Sequence, residues 1–231
     1  MEDIKVLWDP SQWTFWRLFG VISGIAFFAL IITFTIMLGI YAYGNPDPAA
    51  CWVIKGVQAP GLTREAIIAK AAELSVEVPE GYPVEMHKLY VTWFSWGFWT
   101  NMSLAIVMIV SAVIAIFWRH LCLIVLGLVA IAGWFISLVI WVVFGFIWRF
   151  TTGGTIAAGD WLVRDDGQTS ESWEAELASA QTTSGYQLKS GSFLKGTCFF
   201  VTGGLVLAIL VFAFYGVVSC FYSDDKAESK A

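Results

Sequence analysis

Few side chains in this sequence are spaced to do chemistry. The only histidines are His87 and His120, and neither has a partner at CxxC, HxxxH or carboxylate spacing that would hold a metal. Gly153-Gly154 does not lie in a phosphate-cradling pattern. Asn101-Met102-Ser103 matches a glycosylation sequon, but it falls at the start of an apolar run, where the membrane would hinder modification. A membrane enzyme needs a cluster of His, Cys, Asp or Glu. None can be assembled here, so we expect no catalytic residue, no metal and no cofactor, and the chain reads as not an enzyme.

The four cysteines carry what reactivity remains. Cys51 and Cys198 fall on the same side of the expected topology and could form a disulfide in an oxidising compartment. Cys122 and Cys220 fall near the opposite face, where S-palmitoylation occurs. The plainer alternative for each is a small apolar residue in a helix face.

The elements that must position these groups are membrane spans. Only 13% of the 231 residues are charged and 58% are hydrophobic, with a mean hydropathy of +0.72; soluble domains carry about 25% charged residues. The apolar residues are gathered into long uncharged runs. The spacing predicts an N-terminal segment over 1–17 and a first span over 18–43, stopped by Gly44-Asn45-Pro46-Asp47-Pro48. A first loop follows over 44–88, with a short amphipathic helix over 63–74. There Thr63 is the N-cap, and Ile67, Ile68, Ala71 and Leu74 form the apolar stripe. A second span covers 89–118, a turn 119–120 (Arg119-His120), and a third span 121–148. A second loop covers 149–195, and its polar middle, Gln168 to Ser184, reads as mobile. A fourth span covers 196–222, and 223–231 is a polar tail. The fold class is therefore all-α, an integral membrane four-helix bundle with two larger loops on one side.

Four spans put both termini on one face. Arg17 and Arg119 favour the cytoplasm for that face, although Lys88, Arg149 and Lys195 flank spans on the other. We expect a multi-pass protein with cytoplasmic termini. No cleavable signal peptide is visible, and the first span is expected to serve as its own insertion signal. A net charge of −5 with no basic stripe argues against nucleic acid as a partner.

No Asp, Glu, Lys, Arg or His falls inside a span core, and no proline does. Transport pathways usually keep such groups. What the spans hold instead is packing chemistry. Gly20 and Gly24, Ser111 and Ala115, Gly133 and Ser137, and Gly204 and Ala208 place small residues four apart, letting helix backbones approach closely. They serve either the internal packing of the bundle or a contact with another subunit.

The whole-chain layout resembles the tetraspan group of membrane proteins, with the MARVEL-type vesicle and junction proteins nearest in size and topology. The resemblance lies in architecture. The tetraspanin CCG signature is absent, the first loop holds a single cysteine, Cys51, where claudins carry two after a Trp, and the second loop lacks the cysteines of connexin-like proteins. It implies membrane organisation and transfers no site residue. The expected function is that of a non-enzymatic scaffold or accessory subunit working by lateral assembly. The lipid bilayer, copies of itself or other membrane proteins would be its partners. The alternative is a pore-forming subunit, with Thr92, Ser95, Thr100, Asn101 and Ser103 at its mouth.

Overall fold

The computed structural model describes residues 15–44, 46–117 and 121–228. In chain order these form α1 (Phe15–Tyr43), β1 (Trp52–Val53), α2 (Arg64–Glu73), β2 (Val84–Glu85), α3 (Met86–Phe117), α4 (Leu121–Phe150), α5 (Thr152–Ala157), α6 (Ser170–Ser184) and α7 (Leu188–Glu228). The protein is mostly helical, and among the described residues the one small sheet is an antiparallel pair with Trp52 opposite Glu85 and Val53 opposite Val84. Among the described residues, two helical segments are long and apolar enough to cross a membrane, Ala132–Phe150 and Leu188–Val211; Phe28–Tyr43 is a shorter apolar stretch. The chain divides into two compact units. One comprises Met1–Gly44 and Phe94–Leu138, the other Asn45–Trp93 and Val139–Ala231.

In the first unit the helices bury narrow stripes. Along α1, Ile31, Thr35, Leu38 and Ala42 are buried, at the three- and four-residue steps of a helix face. Ile25, Ile36 and Ile40 on the remaining surface are exposed. The Thr35 hydroxyl donates back to the Ile31 carbonyl (2.7 Å), and Asn101 Nδ2 donates to the Gly97 carbonyl (2.8 Å). Both buried polar groups are thus satisfied within their own helices. At the end of α1, Tyr43 shares a hydrogen bond with Ser95 (3.0 Å) and accepts from Trp99 Nε1 (2.9 Å).

In the second unit, α2 starts at an N-cap: Thr63 Oγ1 accepts from the Ala66 amide (3.1 Å). Its buried face, Ile67 and Ala71, packs with Ile54 and Val57, and Ile68 lies against this cluster. Leu74, expected on the same stripe, is exposed because the helix ends at Glu73 and Leu74 is its C-cap.

The middle of the second loop departs from expectation. The stretch read as mobile is the 15-residue helix α6. Thr169 Oγ1 caps its start by accepting from the Ser172 amide (3.2 Å), and Gly185, in the left-handed region (φ 79°), closes its end. Polarity there reflects a helix with no buried residue, not an absence of structure. The last helix also begins earlier than the expected span, at Leu188 instead of 196.

The helix backbones include Gly20, Gly24, Ser111, Ala115, Cys122, Ala208 and Cys220, but their side-chain surroundings lie outside the described residues. So do the expected turn Arg119-His120, most of the N-terminal segment and the last three residues of the tail.

Candidate functional site

In the first unit, α3 and α4 leave a groove of about 280 Å³ between them, lined by Thr100, Ser103, Leu104, Val107, Ala130, Gly133, Trp134 and Ser137. Gly133 is exposed, and a methyl group placed on it would meet open space. The Trp134 indole nitrogen is buried and has no hydrogen-bond partner among the described residues. An indole can only donate, so this group lacks an acceptor. Leaving a buried donor unpaired costs about 1–3 kcal/mol.

In the second unit, the loop residues are drawn onto the ends of α4 and α7 by buried polar groups. Asp47, just after α1, is 6% exposed. Its carboxylate accepts from the amides of Lys189 (3.1 Å) and Ser190 (2.6 Å) and from the Gln181 side chain. A carboxylate at this place satisfies the free amides of the first turn of α7 and complements its dipole. Gln187, fully buried, donates through Nε2 to the Pro48 carbonyl (2.8 Å), while its Oε1 bonds His87 Nδ1 (3.0 Å). Because a carboxamide oxygen only accepts, His87 must carry its proton on Nδ1. Asp47→Ala is therefore expected to lower unfolding free energy by about 1–2 kcal/mol, with Asp47→Asn keeping much of it. Denaturant unfolding in detergent reads this, and equal loss for both variants would contradict the capping role.

Arg149 is 1% exposed at the end of α4. Its two terminal nitrogens donate to the two carboxylate oxygens of Asp160, each at 2.7 Å, and Nε donates to the Gly191 carbonyl at 2.9 Å. This fork uses the bidentate geometry that a lysine lacks. The Arg149 hydrogen bonds hold the Asp160 carboxyl below the usual carboxylate range. Burial opposes them, and the charges of Arg149 and Lys195 assist. Close backbone approach makes room for the network. Side-chain atoms added at Gly154 would run into the Trp148 and Arg149 carbonyls, and at Gly191 into Ala158. The Gly154 carbonyl then accepts from the Tyr90 hydroxyl (3.0 Å). Below this level Trp93 and Trp141 stack at 3.9 Å and 12°, and each indole donates to the other's main-chain carbonyl (2.7 and 2.8 Å).

No family model, curated protein or solved structure matches this chain.

Cys51 and Cys198 are both free and buried. Cys198 fills the space that a side chain at Gly145 would take, and Cys51 sits where its carbonyl accepts from the Met86 amide. Burial, and secondly the charge of Asp47, push the Cys51 thiol far above its ordinary value. Gly133 and Ser137 line the groove together, and Gly204 faces open space. Of the polar residues placed at a mouth, Thr100 and Ser103 line the groove, whereas Thr92 bonds its own helix at the Lys88 carbonyl. No group of His, Cys, Asp and Glu that could hold a metal occurs among the described residues. The partnered set Asp47, Gln187, Arg149 and Asp160 escaped the sequence reading. Its one local signal was a lone arginine closing a long uncharged run.

Proposed function

We propose that this chain is a non-enzymatic membrane protein that crosses the bilayer four times, with cytoplasmic termini, and acts as a scaffold or accessory subunit by lateral assembly. Exposed Ile25, Ile36, Ile136, Leu207 and Phe214 suit helices solvated by lipid; in water they would be a liability. Tyr43 and Trp99, hydrogen-bonded through their polar ends, suit the headgroup boundary.

The observation that carries assembly is the groove with the unpartnered Trp134 N–H. Trp134 lies near the middle of α4, roughly 20 Å along the helix axis from Leu121 and 24 Å from Phe150. Lipid headgroup and ester oxygens stand about 15 Å from the centre of a ~30 Å hydrocarbon core, out of its reach. A helix of another subunit can bring an acceptor to that depth, and the bare Gly133 allows its backbone to come close. The complex extracted gently from native membranes should therefore exceed the monomer mass. Gly133→Leu fills open space within the chain, so it should leave thermal stability unchanged while dissociating the complex. A wild-type protein that is monomeric and has no co-purifying partner would sink this reading.

The hydroxyls of Thr100, Ser103 and Ser137 in the same groove favour a second reading, a pore lined by polar groups from several subunits. Lack of conductance in reconstituted bilayers would remove it.

A further inference from the structure

Trp161 and Val163 are 57% and 79% exposed, in the irregular stretch between α5 and α6. Large apolar side chains on a solvated loop need a reason. Their height is fixed by the bonds just before them. Asp160, the neighbour of Trp161, is gripped by Arg149, the penultimate residue of the apolar segment Ala132–Phe150. The same guanidinium bonds the Gly191 carbonyl, in the first turn of the other apolar segment, Leu188–Val211. Both candidate spans therefore end at one level, and Asp160 is held there. Leu162 donates its amide to the Gly159 carbonyl (3.0 Å), making a turn. The Trp161 indole N–H is directed to the Thr155 hydroxyl (3.4 Å), leaving its ring outward.

We infer that Trp161 and Val163 form an interfacial anchor that dips into the headgroup boundary of the lipid bilayer on the loop side. The inference rests on the membrane-inserted reading of α4 and α7. Tryptophan is enriched at this depth, where its ring is apolar and its N–H can keep a polar partner. The attachment is apolar in character. Besides Asp160, which is paired with Arg149, the adjoining charged residues are Arg164, Asp165 and Asp166, one cation against two anions, so anionic lipid gains nothing here.

The test uses the full chain in phosphatidylcholine nanodiscs, in a Cys122→Ala/Cys220→Ala background with Cys51 and Cys198 kept buried. A spin label is placed in turn at Val163→Cys, at Ile136→Cys in α4 and at Glu174→Cys in α6. Collision with oxygen reports lipid, and collision with a water-soluble nickel chelate reports water. We expect Ile136 to read as hydrocarbon, Glu174 as water, and Val163 to favour oxygen over the chelate relative to Glu174. Trp161→Ser should move the Val163 label toward the aqueous value, and added salt should not. A Val163 label as wet as Glu174, with Ile136 still in hydrocarbon, overturns the anchor alone and leaves the patch to a protein partner. A wet Ile136 overturns the membrane reading and the anchor with it.

Discussion

Asp160→Ala is expected to destabilise the protein by about 3–5 kcal/mol, more than removal of its partner. The asymmetry comes from burial. The Arg149 side chain is 2% exposed and that of Asp160 35%. Deleting Asp160 strands a guanidinium that water cannot reach, left with the Gly191 carbonyl and the face of the Phe150 ring 5.4 Å away. Arg149→Met leaves a carboxylate that water can solvate and puts an apolar chain in the vacated space, a change of under about 2 kcal/mol. The acid limb carries the same signature. The folded-state value of Asp160 lies below the ordinary one. Its contribution is thus complete above the ordinary carboxylate value of about 4 and fades as pH falls through the lower, folded-state value. In Asp160→Asn that part of the acid sensitivity disappears. Chemical unfolding in detergent between neutral and acid pH measures all three variants, and an Arg149→Met loss equal to that of Asp160→Ala would contradict the account.

The second large effect belongs to Trp93 and Trp141. Either residue changed to Ala should cost about 3–5 kcal/mol, because a fully packed indole leaves a cavity that its neighbours cannot close. The two losses should not add. The rings stack on one another and their hydrogen bonds are reciprocal, so the first substitution removes much of what the second would. A coupling of about 1–2 kcal/mol in the double-mutant cycle is the expected result. Additive losses would mean that the pair is merely adjacent. The sequence holds a matching clue at Gly145, where a side chain would sit 2.8 Å from the Trp93 ring.

What could be seen in the sequence was whatever depends on neighbours along the chain. The long helices follow from uncharged runs: the stretch from Leu89 to Trp118 falls in and beside α3, and that from Leu121 to Trp148 lies within α4. Thr63 was recognisable as a cap because its partner is three residues away. Thr169 and Gly185 gave the same kind of signal for α6, and the polarity between them masked it. The helix faces of Gly133 and Ser137 were visible from spacing, but the missing acceptor at Trp134 was not, since it depends on α3 standing opposite. Arg149 looked like a charge flanking a span. Its burial follows from Asp160 folding back after α5, and the closeness of Gly154 to the Trp148 carbonyl allows that path. Asp47 and Gln187 had no local signal at all.

The bonds of Asp47 bear on the order in which the protein can be completed. The Lys189 and Ser190 amides that its carboxylate holds lie 142 and 143 residues further on, and Pro48 and Gln187 are 139 apart. While a ribosome makes this chain, Asp47 has left the exit tunnel long before its partners exist. Its carboxylate waits in water through the synthesis of α3, α4 and α6. The pairing of β1 with β2 and the packing of α2 need no later residue, whereas the contacts of Asp47 and Pro48 close last, as a latch set by the arrival of α7.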